Sequence, residues 1–328
     1  MKPFWEDMSR ACRATGVLVA TLVGAGYATG REMSQYFGRA SWGTLIFAAV
    51  LIALFSMAFL YVGMRGQGGG GSVVTAYRWV LSVLAVVSCG VMVAAAKSLL
   101  GGAWTALFVC LAGVCICLTD KVFHVVGVLS VPVLLVLVAI VACLAPNAAT
   151  GTAFLPLSAA NYAGMNLLFE GELLRREGSG MRPRAVWLSG AGIAVCMALL
   201  LCAMHRVVGA SDVDLPFSQS AEALGLSALS SAVIMVSILS SIAGGMRVTL
   251  AVWETRAPQA LAAMLALLLS LLVSIIPFAT LVRYVYPVMG WIGVTVVCAY
   301  VAVALAALIK RPQSAFGRIR RRRRWGFL

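Results

Sequence analysis

"GVLVATLVGAGYATGREMSQYF", Gly16 to Phe37, opens as an apolar helix of the kind that crosses a bilayer and then changes character. Gly24, Gly26 and Gly30 interrupt it, and the charged pair Arg31-Glu32 follows. Backbone freed by an interruption at membrane depth costs several kcal/mol per unsatisfied group, so it must be buried in protein or line a wet cavity. There the free N–H and C=O groups become ligands: helix N-termini attract anions and free carbonyls hold cations. Packing is the competing explanation, since small residues also let helices approach closely. Gly24-Ala25-Gly26 alone fits both. With Tyr27, Thr29, Gly30 and Glu32 attached, a break lined by substrate-binding groups is the better account.

The rest of the chain must first qualify as a membrane protein. Of its 328 residues 62% are hydrophobic and 11% charged, against about half and a quarter in soluble domains. Apolar runs long enough to span a bilayer recur throughout. The expected fold is an all-α integral membrane protein with ten transmembrane helices in a single domain, residues 1–328. The spans fall near 14–38, 41–63, 73–96, 101–118, 121–143, 155–174, 185–204, 226–246, 258–277 and 284–309. "MRGQGGGGS" at 64–72 reads as a flexible linker. The opening MKPFWEDMSR carries Glu6 and Asp7 and does not read as a signal peptide.

Ten spans put both termini on one side, and basic residues identify that side as cytoplasmic. With the N-terminus inside, 20 Lys and Arg fall in cytoplasmic segments. Only Arg31, Arg39, Lys97, Arg206 and Arg283 lie outside. Much of the net charge of +14 resides in the tail at 310–328, with five arginines from Arg320 to Arg324. Beside a last membrane helix it suits anionic lipid headgroups, at about 1 kcal/mol per basic residue. A solvated topology anchor fits it equally, and nucleic acid is the poorer partner.

Ten spans divide into five and five, repeat one about 14–143 and repeat two about 155–309. An odd number per half inverts the second half relative to the first, as in inverted-repeat transporters. Span 6 then corresponds to span 1. It holds Asn161, Tyr162, Gly164 and Asn166, then Glu170, Gly171 and Glu172. Both spans are therefore expected to be broken, with Tyr162, Asn166 and Glu170 joining the substrate site. Charges at membrane depth cost roughly 2.5–3.5 kcal/mol on insertion scales, so Glu32 and Glu170 are expected to line the path. Glu32 has Arg31 and Arg39 as candidate partners. Glu172 lies near Arg175 and Arg176, which suits an interfacial ion pair.

"VGAGYATGREMSQYF" resembles the first-helix signature "VGAGFASGQE…FF" of the YkvI family of bacterial membrane proteins, and "YAGMN" is similar to that family's sixth helix. The family is placed in the amino acid–polyamine–organocation superfamily. The resemblance implies a LeuT-like fold with a five-plus-five inverted repeat in the bacterial cytoplasmic (inner) membrane. It implies secondary transport of a small solute, an amino acid or related zwitterion, by alternating access. Arg31 departs from the signature's glutamine, and an Arg31–Glu32 pair would alter or close the outer vestibule.

The resemblance also implies a sodium site, with carbonyls at Ala20 and Val23 and hydroxyls at Ser237, Ser240 and Ser241. Hydroxyl and carbonyl oxygens suit a hard cation. Proton coupling through a central lysine in span 5 is disfavoured, since Lys121 stands only at its start. The serines have a competing use in bonding their own helix. No other cofactor is expected. The nine cysteines lie in or beside apolar runs and read as small buried residues. His124 and His205 lack a metal-spaced companion. Asp212 and Asp214 can hold a divalent cation but read better as a solvated loop. With no GxxxxGK[ST] motif and no clustered catalytic side chains, an enzyme is disfavoured. A non-transporting scaffold or sensor on the transporter fold is the alternative function.

Overall fold

The computed structural model describes residues 2–22, 24–66, 72–102, 104–148 and 151–309. The 64–72 linker lies largely, and Val23 and the basic tail wholly, outside the described residues. The described chain is all-helical, with one isolated bridge between Ala40 and Ala153. In order come α1 (Lys2–Leu22), α2 (Ala25–Thr29), α3 (Arg31–Phe37), α4 (Trp42–Met64), α5 (Ser72–Leu100), α6 (Thr105–Leu118) and α7 (Asp120–Leu144). The second half holds α8 (Pro156–Glu177), α9 (Pro183–Val208), α10 (Pro216–Glu222), α11 (Ser227–Trp253), α12 (Gln259–Val273) and α13 (Phe278–Ile309).

Among the described residues five helices are long and apolar enough to cross a membrane, by length and composition: α4, α5, α9, α11 and α13. The helices α1 and α8 are not among them, because α1 carries several charges and Asn161, Asn166, Glu170 and Glu172 make α8 too polar. In α8 two of its polar residues, Asn161 and Glu170, are buried against protein.

Helix starts are set locally. Proline opens α8, α9 and α10, where its missing N–H would have had no partner and its fixed φ suits the first turn. The first expected span is broken in two places. Its first part ends at Leu22, and Gly24 is extended (ψ −165°) at the start of α2. Gly30 then turns into the left-handed region at φ 76° between α2 and α3. That conformation costs any residue with a Cβ roughly 1–2 kcal/mol.

The sixth expected span departs from expectation, for α8 is one continuous helix. Its glycines serve packing instead. A Cβ on Gly164 would strike the Gly290 carbonyl and the Val294 amide of α13, and one on Gly171 would strike the ring of Phe59 on α4.

Which helix touches which follows a pattern. Let each helical segment of the first half exchange with its counterpart in the second: α1–α3 with α8, α4 with α9, α5 with α11, α6 with α12, α7 with α13. Then α4·α8 becomes α9·α1, α6·α11 becomes α12·α5, α7·α11 becomes α13·α5, and α7·α9 becomes α13·α4. Both members of every one of these pairs are in contact, and α4·α9, α5·α11 and α6·α12 map onto themselves. The pattern has exceptions: α8·α13 is extensive where α1·α7 is slight, and α6·α7 and α3·α13 are in contact where their counterparts α12·α13 and α7·α8 make at most slight contact.

Polar contacts sort the helix ends into two groups. At one end Arg13 pairs with Glu177 at 2.9 Å, Arg10 donates to the Gly180 carbonyl, and Arg78 lies 3.7 Å from Glu172. At the other, Arg31 donates to Ser211 and Val213, Ser98 to Asp214, and Lys97 to the Ser274 carbonyl. The members of the first group are those read from charge as cytoplasmic.

Candidate functional site

The break in the first segment is walled by two buried carboxylates. Glu32, on the first turn of α3, folds back so that its carboxylate covers Gly26 of α2; a Cβ on Gly26 would coincide with it. The Tyr286 hydroxyl of α13 is within hydrogen-bonding reach of the same carboxylate. Glu170 on α8 is also buried, with Thr21 of α1 in reach, and its Oε2 has no partner. The Tyr162 hydroxyl, fully buried in the same region, has the Asn166 side chain in reach. Two buried carboxylates thus flank the break from opposite segments, Glu32 at Gly26 and Glu170 at Thr21.

The expected Arg31–Glu32 and Glu32–Arg39 pairs do not form: among the described residues Glu32 makes no ion pair. Adjacent residues on a helix point about 100° apart. Arg31 therefore turns toward the segment after α9, where it donates to Ser211 O at 3.1 Å and Val213 O at 2.9 Å. Ser34 strengthens that clamp, donating to Ser211 O at 2.6 Å and accepting from Ser211 N at 2.8 Å. Glu172 forms the interfacial pair expected of it, with Arg175 at 2.7 Å and Arg176 at 3.3 Å.

The remaining expected site residues divide. Gly24 and Gly26 stand at the break, beside Ala25. Several others are committed to holding it. The Tyr27 hydroxyl donates to Leu200 O of α9 at 2.9 Å. Thr29 Oγ1 donates to Gly26 O and accepts from Arg31 N, bracing the second turn. Gly30 packs against Val208 and Phe217. Asn166 Nδ2 donates to Tyr162 O within its own helix, which uses one of its two N–H groups.

An aromatic layer lies above the break. Tyr36 and Phe37 of α3 meet the Tyr162 ring edge to face, at 5.3 and 5.0 Å between centroids. Tyr36 donates to Asn161 Oδ1 at 2.9 Å, and Asn161 Nδ2 donates to Pro287 O at 2.9 Å, tying α3, α8 and α13 together. Beyond Tyr36 opens a cleft of about 460 Å³ between α3, the start of α8, the 210–212 segment and Arg283. Tyr36 lines this cleft, and Glu32, one turn before it on α3, lies against Gly26 of the break. The sequence reading misses Tyr36, Tyr286 and Thr21, which look like ordinary interfacial or helical residues. One signal was available: Tyr286 precedes a proline inside a span.

The serines expected to hold sodium lie on α11. A Cβ on Gly24 would lie 3.0 Å from Ser241 Oγ, so α11 presents this serine directly to the break. Ser237 stands one turn earlier on the same face, and its buried Oγ has no partner. Ser240 is half-buried, and Ala20 sits in the last turn of α1, where carbonyls lack intrahelical partners. His205 is fully buried against Trp42, 5.3 Å between rings, a packing role.

Comparison with models of protein families finds no match, and comparison with curated proteins finds none either.

Proposed function

We propose that the chain is a secondary active transporter of a small solute, working by alternating access across a bacterial cytoplasmic membrane. It crosses the membrane ten times, in a five-plus-five inverted repeat of the LeuT type with both termini inside. The observation that carries the reading is the double break at Gly24 and Gly30, walled by buried Glu32 and Glu170. Irregular backbone and charge at this depth are retained where they line a path. The exchange pattern of helix contacts supports the inverted repeat, and α8 departs from it in being unbroken, so the moving element on this reading is the first segment alone. The solute is an amino acid or related zwitterion. A screen of radiolabelled amino acids in proteoliposomes tests this. Saturable uptake driven by an ion gradient is expected, and its absence for every solute under both sodium and pH gradients would leave a scaffold or sensor.

Topology has its own check. A single cysteine introduced at residue 215, with reactive native cysteines removed, is expected to react with an impermeant reagent added outside. Reaction only from inside would invert the orientation.

Sodium is the proposed coupling ion, held by oxygens of α1 and of Ser237 and Ser241. In Ser237→Ala/Ser241→Ala the sodium concentration for half-maximal uptake is expected to rise at least about tenfold, the equivalent of losing one charge-assisted oxygen contact. Uptake that ignores sodium and follows a pH gradient would remove the ion. An unchanged sodium dependence would remove these ligands.

A further inference from the structure

The cleft outside the aromatic layer is lined by three arginines, Arg31, Arg39 and Arg283, and one carboxylate, Asp212. None of the four is in an ion pair among the described residues. Arg39 and Arg283 are exposed to solvent, while Arg31 is buried and its Nε has no hydrogen-bond partner. The clamp to Ser211 and Val213 uses its Nη1. These arginines are also three of the five basic residues on this side of the molecule, so they are gathered where the topology leaves few. Guanidinium groups offer forked donors that match the oxygens of carboxylate and phosphate. Low-dielectric walls focus the field of like charges in a concave site and raise the local concentration of counter-charge.

We infer that this cleft is a binding site for an oxyanion. Arg39 and Arg283 receive the anionic group from solvent, and Arg31, fixed at the back by the 211–213 segment, orients it above Tyr36. That the anion belongs to the transported solute rests on the transport reading; binding at the cleft does not. On that reading the solute carries a carboxylate or phosphate, and cations lacking one are excluded before they reach Glu32.

The test is calorimetric titration of the full-length protein in phosphatidylcholine nanodiscs, which contain no anionic lipid. Malonate and inorganic phosphate are the probes, each against chloride at equal ionic strength. Saturable binding of at least one probe is expected, and the tighter of the two identifies carboxylate or phosphate as the group. In Arg39→Gln/Arg283→Gln affinity is expected to fall at least about tenfold, with thermal stability retained because neither side chain anchors a helix. Lack of saturable binding by both probes, or equal binding in the double variant, would overturn the site. Transport does not enter this measurement. A cleft that binds in a protein that moves nothing would refute the transporter and leave the anion site standing. Uptake with no anion bound would do the reverse.

Discussion

Gly26→Leu is expected to abolish uptake while the protein still inserts in the membrane. The reason is positional. Any Cβ at residue 26 would occupy the place of the Glu32 carboxylate. The carboxylate must then leave Gly26 and Tyr286, and a leucine side chain takes its place beside the short α2. Overpacking of this kind costs roughly 1–3 kcal/mol, enough to lower the melting midpoint without preventing folding. Gly16→Leu is the control, since no atom lies within 4 Å of a Cβ there. It is expected to transport like the parent. Gly26→Ala/Glu32→Ala separates space from chemistry. Removing the carboxylate relieves the clash and should restore stability, but uptake should remain lost if Glu32 serves the solute. Parent-like uptake in Gly26→Leu would mean that the break does not face the path.

The break was legible because glycine was needed there for its backbone. At Gly30, with φ 76°, residue type and conformation agree, and Gly24 leaves room for Ser241. Span 6 was misread because the same residue types answer a different need. Gly164 and Asn161 meet a neighbouring helix, and a single sequence does not distinguish a glycine that bends its own backbone from one that admits another. The partners of Glu32 were hidden for a related reason. Arg31 is adjacent in sequence but faces elsewhere, whereas Tyr286 reaches the carboxylate from more than 250 positions away. The arginine cleft was invisible because its walls come from four separate stretches of chain. Apolar runs were easier to read than helix ends, since α1 begins at Lys2 and not near 14, and α13 at Phe278 and not near 284.

Gly164→Leu is expected to prevent recovery of folded protein, and Gly164→Ala to destabilise it by roughly 1–3 kcal/mol. Here the backbones of α8 and α13 touch. A Cβ on Gly164 would strike the Gly290 carbonyl, and one on Gly293 would strike the Gly164 carbonyl. Close approach through small residues is a main source of helix association in membranes, where the surrounding lipid removes the hydrophobic drive. Asn161 donating to Pro287 O fixes the register of that contact one turn away. The sign of the alanine effect discriminates between two accounts. Gly164 is helical, so alanine gains about 1 kcal/mol of helix propensity. A glycine kept only for flexibility would therefore give a more stable alanine variant. Gly244, within α11 and with open space around a Cβ, supplies that comparison. Gly244→Ala should be neutral or stabilising. Denaturant titration of both variants in the same detergent decides the matter. Equal stability of Gly164→Ala and Gly244→Ala would show that α8 and α13 do not meet backbone to backbone, and would reopen α8 as a hinge of the second repeat.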